Sequence, residues 1–249
     1  MKTNNEQLVK RPYLILLLIE LALIVFIAGG SAYVQIAGLE HPAAPFIGFI
    51  PIALFLAFFF ASKKRGQQFF LPGSLKLTPR QWLDFSPLLI ILVLLLIANH
   101  GFDSELSASS IVYLLVTQLF LVGFVEESLF RGIMLRIFLH KGAGFAILIS
   151  SFFFGVTHAL QALGGQSAED TILQIVYAFL IGLLLATLTV KHRTILPGII
   201  FHGLHNFLNF TGNAPSTHLY DYLILALLAI TVILLQLSGR NKTAAAVGV

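Results

Sequence analysis

The chain has 249 residues, of which 57% are hydrophobic and only 10% charged, a balance that excludes an ordinary soluble domain and points to a polytopic membrane protein. It contains no cysteine, which removes disulfides, thiolate metal sites and cysteine nucleophiles at once. The net charge of +4 comes from basic residues in short loops between apolar runs, so it reports membrane orientation and argues against nucleic-acid binding.

Reading apolar runs of about 17 to 25 residues as spanning helices predicts an all-α transmembrane bundle of eight spans. They run Tyr13 to Ala37, Ala44 to Ser62, Trp82 to Asn99, Ser110 to His140, Gly144 to Leu163, Thr171 to Val190, Thr194 to Phe210, and Tyr222 to Ser238. The first follows Lys10 and Arg11 like a signal peptide, but it exceeds an h-region of about 7 to 15 residues and reads as a retained helix. Leu71-Pro72-Gly73-Ser74 is a turn signature, and Leu75-Lys76-Leu77 leads from it along the interface towards Trp82. The fourth run is too long to cross upright at about 1.5 Å per residue, so it must tilt, break or run on along the surface. The tail from Asn241 to Val249 reads as frayed.

Orientation follows from the basic residues. With the N-terminus inside, Lys2, Lys10, Arg11, Lys63, Lys64, Arg65, Lys76, Arg80, Lys191, Arg193, Arg240 and Lys242 are cytoplasmic, and Arg131, Arg136 and Lys141 lie at or inside the inner end of the fourth span. The opposite loops carry Glu40, Asp103, Glu105, Glu169, Asp170 and Asp221 and no lysine or arginine. Both termini are then cytoplasmic. No repeat or boundary divides the chain, so residues 1–249 read as a single membrane domain.

The fourth run holds Glu126-Glu127-Ser128-Leu129-Phe130-Arg131 inside hydrocarbon. A charge at mid-bilayer costs roughly 2.5 to 3.5 kcal/mol on insertion scales, so three together imply a use. Glu127 and Arg131 are four apart with the acid first, the favourable order for a helical ion pair. Glu126 points about 100° away and is left free for chemistry.

Of the eight histidines, His41, His100, His140, His192 and His218 fall at loops or span ends and read as interfacial. His158 lies in the fifth span, and His202 and His205 in the seventh. His202 and Asn206 share a helix face, and an imidazole N–H with a carboxamide N–H₂ suits a developing oxyanion. His158 with Glu126 suits the deprotonation of water. His205 reads as a packing residue. Glu20 and Asn209 have no visible partner and read as structural.

In this order, Glu126-Glu127-x-x-x-Arg131, Phe154-x-x-x-His158 and His202-x-x-x-Asn206 resemble the three motifs of the CAAX protease and bacteriocin-processing (CPBP) family of intramembrane peptidases. The flanking Leu129-Phe130-Arg131-Gly132, Phe154-Gly155 and Leu196-Pro197 are similar to that family's surroundings. The resemblance covers about Ile111 to Phe210, which it marks as the catalytic core (111–210). It implies that Glu126 and His158 activate the attacking water, that His202 and Asn206 form the oxyanion site, and that Glu127 and Arg131 support the architecture. It also implies a membrane-associated protein or peptide substrate, or a role in bacteriocin self-immunity.

Glu126, His158 and His202 have the composition of a catalytic zinc site with an open water position. None lies in an H-E-x-x-H pair, and the same groups account for water activation without a metal; zinc and metal-free sites are both left open. Beside the peptidase stand a non-catalytic immunity or scaffolding protein and a proton-relay transporter, for which no paired halves with broken helices are seen. A bacterial plasma membrane is the expected location.

Overall fold

A computed structural model describes residues 11–71, 77–159, 166–213 and 217–247, with side chains up to residue 236. Lys2, Lys10, Lys76, the turn at Pro72-Gly73-Ser74, Leu75 and the predicted span end at Leu163 lie outside the described residues, as do the side chains of Arg240 and Lys242.

Among the described residues the protein is helical throughout, with one isolated bridge between Phe102 and Gly212. In chain order the helices are α1 (Pro12–Ala37), α2 (Ala44–Phe60), α3 (Lys63–Gln68), α4 (Pro79–Leu83), α5 (Ser86–Ala98), α6 (Ala108–Lys141), α7 (Ala143–Thr157), α8 (Ala168–His192), α9 (Leu196–Thr211) and α10 (Leu219–Val247). Local sequence sets several ends. Pro12 opens α1, and Gly38, with φ of 63°, closes it in the left-handed region that glycine adopts without strain. Thr78 and Gln81 form a reciprocal capping box on α4. Ser167 accepts the Asp170 N–H at 3.1 Å at the start of α8. Glu169 and Asp170 stand in its first turn and Lys191 and His192 in its last, matching the helix dipole at both ends.

Among the described residues four helices are long and apolar enough to cross a membrane: Pro12–Ala37, Ala108–Lys141, Ala168–His192 and Leu219–Gln236. Each of the eight predicted spans falls on a helix; α2, α5, α7 and α9 are the shorter ones, of 17 residues or fewer. Trp82 belongs to the separate α4, so the third apolar helix begins only at Ser86. Helix α7 ends at Thr157, which moves His158 from the interior of a span to the helix end. Helix α10 runs past Ser238 to Val247 instead of fraying, through Ala244, Ala245 and Ala246, the strongest helix formers. Large apolar side chains such as Leu17, Leu18, Val25, Leu54, Phe55 and Phe58 face outwards, as a lipid-contacting surface requires.

The long α6 stays continuous. It accommodates its length with two π-helical stretches, Gln118–Gly123 and Ser128–Met134, on either side of one α-helical turn, Phe124–Glu127. Widened turns of this kind concentrate at functional sites because they re-aim the side chains beside them. Here they flank both carboxylates. Helix α9 packs on the first stretch, and α7 packs against the second and along α8. The α6–α9 crossing is backbone on backbone: a Cβ at Gly203 would stand 2.7 Å from Leu119 Cδ2, 2.8 Å from Leu119 Cα and 2.9 Å from Gln118 O. That closeness carries His202 to the two glutamates.

Candidate active site

Glu127 and Arg131 are both fully buried, with Oε1 and Nη1 3.0 Å apart. The pair is held by charge more than by an aligned hydrogen bond, since among the described residues no guanidinium N–H points at an acceptor. Its surroundings compensate. The ring of Phe154 lies under the guanidinium with Cζ 3.9 Å from its centroid, a cation–π contact. His202 Nδ1 approaches Glu127 Oε1 to 3.0 Å. Gly198 leaves room on the other side, because a Cβ there would meet Glu127 Oε2 at 3.0 Å. The sequence pairs Glu127 with Arg131 alone; the structure makes His202 its second partner.

Phe154 organises the whole cluster. Its ring makes edge contacts with Phe130, His158 and His202 at centroid distances of 5.1, 4.7 and 5.7 Å. Its carbonyl oxygen lies 2.7 Å from His158 Nδ1. A carbonyl can only accept, so Nδ1 carries the hydrogen and a neutral His158 has its lone pair on Nε2.

Glu126 turns away from the ion pair. Its carboxylate retains 13% exposure, and Oε2 stands 3.6 Å from His202 Nε2, beyond hydrogen-bond reach. The His202 ring therefore stands between the two carboxylates, Nδ1 towards Glu127 and Nε2 towards Glu126. Asn206 follows one helical turn later. Glu126, His158, His202 and Asn206 all line one cavity of about 940 Å³, walled by α1, α8, α9 and α10. Three separate stretches of sequence thus converge on one space.

The remaining polar residues differ from expectation. Glu20 is not alone: Thr157 Oγ1 donates to its Oε2 at 2.9 Å. Asn209 donates to His205 Nδ1 at 3.2 Å. His205 does pack, with its ring stacked on Tyr177 at 4.8 Å and 14°, yet both rings also border the cavity. Tyr177 and Gln174 were not singled out from the sequence. Their only signal is helical spacing with Asp170 and Ile181 along one face of α8.

Two titratable groups outside the spans are displaced from their ordinary values. Partial burial pushes the Asp84 carboxyl up, but the hydrogen bond and charge of Lys191, 2.7 Å away, with His192 at 2.8 Å, hold it lower overall. The hydrogen bond between His218 Nδ1 and Asp221, at 2.9 Å, raises the imidazole above its usual range.

Glu126, His158 and His202 do not assemble into a metal shell. Among the described residues no group of three or more His, Cys, Asp or Glu is gathered closely enough to hold an ion.

Residues 108–208 match the family model described as Type II CAAX prenyl endopeptidase Rce1-like. No curated protein matches the chain.

Proposed function

We propose, from the match of residues 108–208 to the Rce1-like CAAX prenyl endopeptidase family model, that this integral membrane protein is an intramembrane endopeptidase of the glutamate type. The carrying observation is that Glu126, His158, His202 and Asn206, from three separate helices, line one cavity. In this reading a water between Glu126 and His158 gives its proton to Glu126, and its oxygen bonds to the scissile carbonyl carbon. His158 Nε2 accepts the second hydrogen and fixes the lone pair of the attacking oxygen.

The oxyanion takes hydrogen bonds from the Asn206 carboxamide and His202 Nε2. His202 already directs Nδ1 at Glu127, so donating from both nitrogens makes it an imidazolium. Glu127 balances that cation, and Arg131 stands 3.0 Å from the same carboxylate as its second counter-charge. With Arg131 and His202 positive and both glutamates negative, the cluster is neutral before water is deprotonated. Collapse of the intermediate breaks the C–N bond, and Glu126 returns its proton to the leaving amine.

The substrate class is a membrane-associated peptide or protein. The fold is an eight-span bundle with both termini on the cytoplasmic side, since that arrangement keeps lysine and arginine out of the opposite loops. Its location is the bacterial plasma membrane.

The test is cleavage of a library of membrane-anchored peptides by the purified, detergent-solubilised protein, read by mass spectrometry. Glu126→Gln and His158→Ala lose cleavage by about 10²- to 10⁴-fold, the range for general acid–base groups, while both variants still insert. Retained cleavage in both sinks the reading; no cleavage by the wild type, where an active control enzyme cuts, favours a binding or immunity protein of the same fold. Chelator treatment leaves wild-type cleavage intact; loss with recovery on zinc add-back replaces the glutamate-type site with a metal-dependent one.

A further inference from the structure

The cavity wall opposite the motifs is one face of α8, with Asp170, Gln174, Tyr177, Ile181 and Leu185 at helical spacing. Two groups on that face are unexplained by packing. The Tyr177 hydroxyl and the Gln174 Oε1 are each shielded from solvent and without a hydrogen-bond partner among the described residues. An unsatisfied buried polar atom costs about 1 to 3 kcal/mol, and buried polar atoms almost always have partners. Glu126 Oε2 is in the same condition. The carboxylate assigned to the chemistry and the two α8 groups are thus sheltered polar atoms on residues that line one cavity, each short of a partner.

The two α8 groups are complementary to a peptide. Tyr177 and Gln174 are three apart and share a face, with about 5 to 6 Å between Cβ atoms. A phenol O–H donates and a carboxamide oxygen accepts. An extended chain presents the C=O and N–H of one residue along the same edge, the pairing by which a strand adds to a sheet. The Tyr177 ring is held for this by its parallel stack on His205, whose Nδ1 lies 3.5 Å from Asn206 Oδ1. The stack sets the Tyr177 ring against the residue next to the group assigned to the oxyanion.

We propose that Tyr177 and Gln174 form a backbone-binding subsite that holds a peptide substrate extended along α8, Tyr177 donating to a substrate carbonyl and Gln174 accepting from a substrate N–H. The proposal rests on the peptidase reading and makes both residues positioning groups for the substrate. Recognition through backbone atoms makes the enzyme tolerant of side-chain identity at that substrate residue.

The test uses the membrane-anchored peptide that the wild type cleaves best. Tyr177→Phe keeps the ring and its stack and removes only the hydroxyl. KM rises about three- to tenfold, the worth of one hydrogen bond, with kcat unchanged within about twofold. The thermal midpoint stays level or rises, because an unsatisfied group is gone. Gln174→Leu raises KM similarly. An N-methyl scan of the peptide finds one amide whose methylation weakens cleavage by the wild type and costs nothing further in Gln174→Leu.

Unchanged KM in both variants overturns the subsite and leaves the peptidase standing, provided Glu126→Gln is inactive beside them. A fall in kcat with a lowered thermal midpoint also overturns it, since that pattern marks a structural role. No cleavage by the wild type, where an active control protease cuts, removes the peptidase reading and the subsite with it.

Discussion

At the buried end of the polar cluster, Arg131 and Glu127 lie enclosed 3.0 Å apart, with His202 on the same carboxylate and the Phe154 ring under the guanidinium. At the cavity end, Glu126, Asn206, Gln174 and Tyr177 border a cavity of about 940 Å³. Adjacent residues of one helix thus sit in opposite electrostatic conditions. The difference teaches that the first end is built for stability of a costly charge set and the second for a partner that comes from outside. Substitutions at the two ends should separate stability from activity.

The largest expected effect is at the buried end. Arg131→Met leaves Glu127 charged without its nearest cation, and breaking a buried pair from one side costs about 3 to 5 kcal/mol. The thermal midpoint of the purified protein should collapse or the protein should fail to accumulate in the membrane. Adding Glu127→Leu to Arg131→Met should recover part of that stability without restoring activity. A midpoint within a degree of wild type for the single variant would show that the pair is not a structural unit.

At the cavity end the expectation reverses. Asn206→Ala should lower kcat by about 10²- to 10³-fold, the loss on removing one oxyanion donor, while the thermal midpoint moves little. Asn206 faces open space beside His205 and holds no other element in place. Equal losses in stability and turnover would erase the contrast between the two ends.

Much of this contrast is legible in sequence, for identifiable reasons. The Glu127–Arg131 pair and the His202–Asn206 face depend on helical spacing alone, which any helix fixes. The two π stretches around Glu126 and Glu127 are not legible, because hydrogen-bond register inside a helix answers to packing by α9 and α7. The contact of His202 with Glu127 and that of Thr157 with Glu20 join residues 75 and 137 apart in sequence. Tyr177 escapes notice because an aromatic residue in an apolar run looks like packing until its hydroxyl is found without a partner.

A smaller effect probes the joint between the two ends. Gly203→Ala places a methyl 2.8 Å from Leu119 Cα and 2.9 Å from Gln118 O, atoms that move only if α6 and α9 separate. Overpacking of this kind costs about 1 to 3 kcal/mol. Because Gly203 adjoins His202, the shift should also lengthen the His202–Glu127 contact of 3.0 Å and reduce turnover. Stability and activity should fall together here. A variant that loses neither would mean that the helices have slack at this crossing.

The smallest effect lies at the mouth of the cavity, where His218 Nδ1 contacts Asp221 at 2.9 Å and Nε2 faces Asp170 at 3.7 Å. Glu169 adds a third negative charge nearby, itself 3.4 Å from the Tyr222 hydroxyl. These contacts tie the start of α10 to the start of α8. The hydrogen bond to Asp221 raises the His218 pKa above 6.5, so the folded state binds the proton more tightly than the unfolded chain. The resulting stabilisation is complete below the unfolded value and disappears as pH rises through the folded one. The site is half exposed and screened by solvent, so the contribution is small. Thermal midpoints of wild type and His218→Gln, measured across that interval, should differ most on the acid side and converge towards the alkaline side. A gap that stays constant with pH would show that His218 joins the two helices by packing, and that its proton plays no part at the cavity mouth.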